Sequence, residues 1–542
     1  MRLVECVPNF SEGRNRETMD AIAGAIAGVE GVTLLDVDPG AGANRTVVTF
    51  VGDPEAVLEA GFRAIRTAAE RIDMRQHRGE HPRIGATDVF PFVPVAGVTM
   101  ADCVALARRL GERVGRELGI PVYLYEEAAT RPERRLLADV RAGEYEGLAA
   151  KLRDPAWKPD FGPAKFHARS GATVIGARKF LAAYNVNLNT AERRFAVRVA
   201  ARVRELGLPI RAIGWVIPEY RCAQVSMNLV DLDVAGLHHA FDACERIAGE
   251  LGLRVTGSEI VGLVPERALL EAGRHYLRRM GRSPGAPSEE LIETAIRTLG
   301  LREVAPFDPD QRILERRLLR ADRLAALPLE RFLARLGSVT PTPGGGSAAA
   351  LAASCGAALA AMVAGVTGEW KEATPEVRAE MDALAVAAQE AAGRALRGVD
   401  EDAAAYEAVR AAARKPQRTA EEAAERRAAL DAANRRAAET PLALLADLPA
   451  SLEAIETLAR RGHPACLSDV LAGAALAAAA AEAAHANVLA NLPGVADRRW
   501  AARQRARADA LRRSALRRAA AATARARRAL AAAATTRKRG GG

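Results

Sequence analysis

Apolar positions along residues 1 to about 330 change period repeatedly. β-branched and apolar runs predict strands, and spacings of three and four predict helices. Residues 32–37 read as a strand that stops at the turn Asp38-Pro39-Gly40, and 46–51 as a second strand ending at Gly52-Asp53-Pro54. Ala56, Val57, Ala60, Phe62, Ile65 and Ala68 share one helical face, which predicts a helix between Pro54 and Arg71. Residues 89–95 read as a strand and 102–118 as a helix. A Pro-rich bend follows, then strands at 173–175 and 184–188. A second block repeats the theme, with helix 191–206, strands 210–217 and 224–229, and helix 237–251. Two α+β layers of similar size, joined near 179–182, account for this alternation.

From about Leu336 the strand signals vanish. Ala-rich helical segments, separated at Lys415-Pro416, Thr440-Pro441 and His463-Pro464, predict a helical bundle. The expected fold class is α+β, two α/β sandwich subdomains followed by an all-helical bundle domain. The boundaries read as 1–180, 181–325, a linker over 326–334, and 335–542.

The chain has 542 residues, 49% hydrophobic and 27% charged, a soluble globular balance that excludes a disordered chain. Two runs, 346–365 and 470–489, are apolar but mainly Ala and Gly, so buried helices are expected and membrane insertion is not. A net charge of +10 suits anionic ligands, whether nucleic acid, acidic lipid or a carboxylate-rich small molecule. The Arg-rich stretch 498–528 lacks interleaved aromatics beyond Trp500, so a bundle helix with a solvated basic face is expected and a nucleic-acid partner is not. Six cysteines are scattered without a C-x-x-C pair, and the first residues lack a signal-peptide pattern. Reduced thiols in the cytoplasm are the expectation.

Five segments could carry chemistry. HRGEHPRIGATD holds His77, Glu80 and His81 in a His-x-x-Glu-His spacing that matches a zinc pattern. Gly79 and Pro82 work against the helix such a site needs, leaving an acid/base loop or a solvated polar loop as the other readings. DVDPGAGANRT ends a strand in carboxylates, which could orient a histidine or simply serve a turn. PDFGPAKFHARSGATVIGARKF offers Lys165, Arg169, Arg178 and Lys179 as a positive lining and Phe161 and Phe166 as faces for a flat ring. An exposed basic loop is the alternative. TPTPGGGSAAALAA could aim free N–H groups at an anion or hold a Ser-capped helix, and it is no nucleotide loop, having no Gly-Lys-Ser/Thr. VDEDAAAY sets Asp400, Glu401 and Asp402 on a helix as a site or a solvated face, and Ser468-Asp469 reads as a helix N-cap.

Taken in order, VPNFSEGRN, DVDPGAGANRTVVTFVG, GEHPRIGATDVFPFVPV, GATVIGARKFLAAYNVNL and GSEIVGLVP resemble glutamate formimidoyltransferases. TPTPGGGSAAALAA, VDEDAAAYEAV, ETPLALL, CLSDVLAGAAL and HANVLANL resemble formimidoyltetrahydrofolate cyclodeaminases. The chain is thus similar to the family in which the two are fused, departing from it at His463, where relatives carry Asn. The resemblance implies that tetrahydrofolate is the co-substrate and that no metal is required. It implies formiminoglutamate as the donor and a cytoplasmic homo-oligomer. His81 would be the transferase acid/base and Asp402 the cyclodeaminase carboxylate. The folate loop would be Gly162, Pro163, Ala164, Lys165, Phe166, His167, Ala168, Arg169, Ser170 and Gly171. Asp36 or Glu80 would orient His81, and Arg178 would hold a substrate carboxylate. Two other readings stay open: a glutamate formyltransferase with a non-catalytic helical domain, and a non-catalytic folate or nucleic-acid binding protein.

Overall fold

The computed structural model describes residues 2–42, 44–79, 82–217, 220–318 and 323–539, with side chains as far as 532. Cα proximity divides the chain into two compact units, Met1–Ala268 with Ile296–Leu318, and Leu269–Ala295 with Leu319–Gly542. The first unit opens with β1 (Leu3–Cys6), β2 (Asn9–Phe10), α1 (Arg16–Ala27), β3 (Val32–Gly40), β4 (Arg45–Gly52) and α2 (Pro54–Arg71). It continues with β5 (Thr87–Ala96), α3 (Met100–Leu118), β6 (Val122–Glu126), α4 (Leu137–Arg141), α5 (Glu144–Lys151) and β7 (Thr173–Ala177).

These seven strands form one sheet. β1 and β2 both lie between β4 and β5 and act as two halves of a strand broken at Val7-Pro8. Pro8 has no N–H to give the ladder, which explains why so short a pair escapes a reading by apolar runs. β7 runs parallel to β5 and β6, and the other pairs are antiparallel. Phe50, Phe90 and Phe92 of the sheet meet Ile65, Leu106 and Val114 of α2 and α3 in the main core. Asp53 caps α2 just before Pro54, and Thr99 with Asp102 closes a capping box on α3, so both helices start where their sequence signals say.

β3 does not stop at Asp38 as expected. Asp38, Pro39 and Gly40 pair with Val47, Thr46 and Arg45. β3 pairs with β4 alone, and an edge strand tolerates a proline that cannot donate. The turn falls later, closing at Asn44 with φ of 48°.

The second sheet uses β8 (Ala182–Leu188), β9 (Ile210–Ile217), β10 (Cys222–Leu229) and β11 (Val255–Val261), with α6 (Arg193–Glu205) and α7 (Leu237–Glu250) between them. Its order is β11-β8-β10-β9, antiparallel throughout. Alternation sends Tyr184, Val186, Val225 and Met227 to the helix side, where Cys244 of α7 reaches Met227. Asn185, Asn187, Gln224 and Glu259 fall on the other face.

Next come α8 (Glu266–Arg279), α9 (Ser288–Leu299), α10 (Pro309–Arg312) and α11 (Leu314–Leu318). The segment Leu269–Ala295, within the stretch read as the second subdomain, belongs to the helical unit. A Cβ on Gly285 would lie 2.2 Å from that of Ala385, which shows how closely this segment packs there. The rest of that unit is α12 (Leu329–Leu336), α13 (Gly345–Gly368), α14 (Pro375–Ala413), α15 (Ala420–Arg461), α16 (Leu467–Asn491) and α17 (Arg498–Arg539).

The bundle packs through alanine and glycine, and a Cβ on Gly356 of α13 would lie 3.1 Å from the Gly473 carbonyl of α16. α13 and the segment Pro464–Gly494 are long and apolar enough to cross a membrane, and about half of each apolar window is buried within the unit, at 56% and 44%. The break expected at Thr440-Pro441 is absent, because α15 runs through Pro441. Proline there leaves the Ala437 carbonyl without its helical donor, and Asn491 Nδ2 supplies one at 2.8 Å. On α17, Ala508, Ala515, Ala519 and Ala522 form the buried stripe, leaving Arg503, Arg513, Arg517 and Arg525 exposed.

Candidate functional site

Glu80 and His81 lie outside the described residues, but the loop that carries them is anchored on both sides. Asn44, in its left-handed turn, accepts from Gly13 N at 3.0 Å and donates to Arg78 O at 2.8 Å. Its carbonyl takes His77 Nε2–H at 2.8 Å, so His77 Nδ1 is the acceptor, facing Arg83 Nε at 3.3 Å. Burial, outweighing the Asn44 carbonyl, pushes the His77 imidazole below its ordinary pKa and keeps it neutral. Both ring nitrogens are therefore spent, and residues 77–79 are not helical. The zinc reading loses its first ligand.

Nor are the two ends of the segment a solvated loop, although Arg78 is exposed. His77 is 6% exposed, Arg83 7% and Asp88 0%. Arg83 grips Glu144 at 3.0 Å and Glu146 at 2.6 Å, and Asp88 takes Ile84 N, Arg45 and Arg141. Burial draws Arg45 down to about 10, with Asp88 opposing it.

The expected folate loop is tied to the same place. Ser170 O accepts from Ala86 N at 2.8 Å, and Gly171 N closes on His167 O at 2.7 Å. Gly171 has φ of 67°, and a Cβ there would stand 2.3 Å from Ile84 O, so this approach requires glycine. Tyr145 donates to Ala168 O, its backbone N–H to Arg83 O at 2.9 Å, and its ring tilts on Phe166 at 5.4 Å. Gly162, Pro163, Ala164, Lys165 and Ala168 are exposed beside it, with Phe166 and His167 half-buried.

The proposed positive lining is smaller than expected. Arg169 donates to Ala69 O and Glu70 O at the end of α2, where it serves the helix C-terminus. Lys179 pairs with Asp231 at 2.6 Å. Phe161 packs where a Cβ on Gly111 would touch its ring, and is not a free face. Lys165 and Arg178 remain, Arg178 donating to Lys179 O at 3.0 Å.

The two sheets of this unit bring further polar groups together. Asp36 and Asp38 lie on β3. Burial first, then Asp36 and Glu259 of β11, push the Asp38 carboxyl up, while Arg312 draws it down. Glu5 on β1 is 1% exposed with Oε2 unpartnered among the described residues, and burial raises it to about 7 against the pull of Arg178. On the second sheet, Trp215 Nε1 donates to Gln224 at 3.0 Å and Gln224 to Asn187 at 2.7 Å, while Tyr220 reaches Glu259 at 3.1 Å. Sequence reasoning missed Glu5, Arg141, Tyr145 and this amide row, and within DVDPGAGANRT it weighed the strand-end carboxylates but gave no role to Asn44 or Arg45.

In the helical unit the Gly-Gly-Gly-Ser and Val-Asp-Glu-Asp segments meet. Ser347 Oγ lies 3.0 Å from Asp402 Oδ2, and a Cβ on Gly346 would fall 2.0 Å from Asp402 Oδ1. Burial pushes Asp402 above the ordinary carboxylate range, opposed by hydrogen bonds from the Ser347 hydroxyl and N–H. Ser347 does not cap α13, since Gly344 is the N-cap. The three acidic residues are not one solvated face. Asp400 Oδ1 accepts from Leu324 N at 2.6 Å, and only Glu401 is exposed.

Asn487 of α16 lies beside Gly345, and His485 meets Asp509 at 2.6 Å. Ser468-Asp469 is not a cap, because Cys466 is. That segment and His463, whose N–H reaches Thr367 at 3.0 Å, sit at the far end of α13, about 30 Å along the helix from Ser347.

Residues 3–178 match the family described as formiminotransferase domain, N-terminal subdomain. Residues 183–319 match the formiminotransferase domain, and 328–510 match formiminotransferase-cyclodeaminase. The chain is 44% identical over 526 residues to a formimidoyltransferase-cyclodeaminase of Sus scrofa, covering 95% of this chain and 97% of that protein. One from Dictyostelium discoideum is 49% identical over 381 residues, 68% of this chain and 70% of that one. A glutamate formimidoyltransferase of Thermoplasma acidophilum is 46% identical over 300 residues, 54% of this chain and 99% of its own length.

Proposed function

This chain belongs to the formimidoyltransferase-cyclodeaminase family, and on that premise we propose that it carries out both reactions. The first unit moves the formimino group between N-formimino-L-glutamate and tetrahydrofolate. The helical unit cyclises 5-formimino-tetrahydrofolate to 5,10-methenyltetrahydrofolate and releases ammonia. The observation that carries this reading is the relation to bifunctional relatives across 95% of the chain, helical unit included. A vestigial helical domain, and with it the formyltransferase reading, is not favoured.

Transfer passes through a tetrahedral carbon between two amines, so one amine must lose a proton and the other gain one. His81 moves that proton and Asp36 or Glu80 helps orient it, while the loop from Gly162 to Gly171 holds the folate and Arg178 a substrate carboxylate. This placement draws support from the hydrogen bonds that join residues 84–86 to 170–172. In the second step folate N10 attacks the formimino carbon, and Asp402 supplies the proton with which ammonia leaves. The chemistry is addition, elimination and proton transfer, so the reading includes no metal. A coupled assay with formiminoglutamate and tetrahydrofolate, following ammonia and methenyl-folate, tests it. Transfer of formyl in place of formimino, or strong DNA binding without ammonia release, would overturn it.

A homo-oligomer in the cytoplasm, without nucleic acid or membrane insertion, completes the proposal. Six free cysteines support the reducing compartment. The close Ala and Gly packing of α13 on α16 supports helices that find their partners in the bundle. Sedimentation of the purified chain and fractionation of cells would test both.

A further inference from the structure

Ser347 and Asp402 come from different helices, and the serine hydroxyl has two neighbours. Its oxygen lies 3.0 Å from Asp402 Oδ2 and 3.0 Å from the Val399 carbonyl, and the residue is 0% exposed. A hydroxyl has one proton and donates to one acceptor at a time. With Asp402 ionised, Ser347 donates to the carboxylate. The Val399 carbonyl, inside α14, keeps its own helical N–H donor and is not orphaned. With Asp402 protonated on Oδ2, the carboxyl donates to the serine oxygen, and the serine O–H turns to Val399. Only hydrogens move between the two arrangements.

We infer that Ser347 is a positioning residue for cyclisation, holding Asp402 in one place both before and after it gives up its proton. The inference rests on the proposed role of Asp402. Among the described residues Ser347 has no charged competitor around that carboxyl. α13 carries no Asp, Glu, Lys, Arg or His between Gly345 and Gly368. On α14, Asp400 is turned to Leu324 N, Glu401 is exposed, and Glu407 pairs with Arg410 at 3.0 Å. Asn487, the α16 side chain nearest Gly345, is neutral. Burial and Ser347 are the causes that act on the Asp402 carboxyl among the described residues.

The test is Ser347→Ala in the full chain, supplied with 5-formimino-tetrahydrofolate, with kcat and KM measured across pH. The hydroxyl pulls the Asp402 pKa down against burial, so its removal should move the corresponding limb of the kcat profile to higher pH. A freed carboxyl should lower kcat about tenfold or more with KM little changed. Ser347→Thr, which keeps the hydroxyl, should restore the wild-type profile. Formimino transfer by the same preparation, with helical circular dichroism, reports folding. If Ser347→Ala does not fold, Ser347→Cys carries the test, and a smaller shift in the same direction is expected. A folded variant without the hydroxyl whose profile superimposes on wild type overturns the inference. Asp402→Asn separates the two layers. If it is active, the role of Asp402 fails and the inference with it. If it is inactive while Ser347→Ala behaves as wild type, the positioning role alone fails.

Discussion

Gly346→Ala should separate cyclisation from folding. A Cβ at this position would stand 2.0 Å from Asp402 Oδ1, 2.5 Å from Cγ and 2.8 Å from Oδ2. Ordinary contact begins at 3.4 Å, so the carboxyl must retreat by at least about 1.4 Å. The obstructing atoms are the end of a side chain, so α13 can keep its place while Asp402 swings. Alanine gains about 1 kcal/mol over glycine in a helix. Losing the hydrogen bonds from Ser347 costs about 1.5–3 kcal/mol. The net destabilisation is then about 0.5–2 kcal/mol, which a folded unit tolerates. Catalysis does not tolerate it, since a misplacement of about 1 Å costs roughly 100-fold. The assay supplies 5-formimino-tetrahydrofolate and follows ammonia and methenyl-folate, with formimino transfer measured on the same sample. A soluble, helical Gly346→Ala protein that cyclises within about threefold of wild type would refute both the geometry and the role of Asp402.

His81→Ala should abolish formimino transfer while leaving cyclisation of supplied 5-formimino-tetrahydrofolate intact, and retained transfer in the folded variant would sink the assignment. Glu5 carries a folded-state pKa of about 7 against the ordinary 4.5. The folded chain therefore holds a proton that the unfolded chain releases, and stability falls as pH rises from 4.5 to about 7. The full effect is about 3 kcal/mol. Glu5→Gln should stabilise the first unit at pH 8 and not at pH 4.5 in urea melts, and an equal effect at both would count against a buried carboxylate. Asp402→Asn should stop cyclisation and let 5-formimino-tetrahydrofolate accumulate, with exposed Glu401→Gln as the silent control; equal loss in both would point to a shared field.

The elements legible in the sequence were those whose signals are local. The helix over 54–71 has an apolar face, an Asp cap and a proline in its first turn, and it forms over those residues. β1 with β2, β6 and β11 gave no such signal. β1 and β2 are four and two residues long around a proline, and β11 carries the unbroken run Thr256, Gly257, Ser258 and Glu259 between its apolar ends. Pro39 and Pro441 misled in the same way. Proline removes one donor, and whether that ends an element depends on a partner elsewhere. β3 has an edge to spare, and α15 has Asn491 to serve the orphaned carbonyl.

The same distinction between local and distant partners governs the sites. Nothing near Asn44 in sequence announces that it will hold Gly13, His77 and Arg78 at once, since those partners lie 31, 33 and 34 residues away. His77 looked like a ligand because its spacing to His81 is local information, while the Arg83 and Asn44 contacts that occupy its nitrogens are not. In the helical unit, three glycines before a serine and an acidic run 55 residues later each had a bland local explanation. Their meaning lies in the meeting. Gly346 must be small because Asp402 fills the space its side chain would take, and Ser347 must be polar because that carboxyl has no other partner among the described residues. Each motif supplies the reason for the other's composition, and that reciprocity, more than either segment alone, makes the meeting of α13 and α14 the place to look for the cyclisation chemistry.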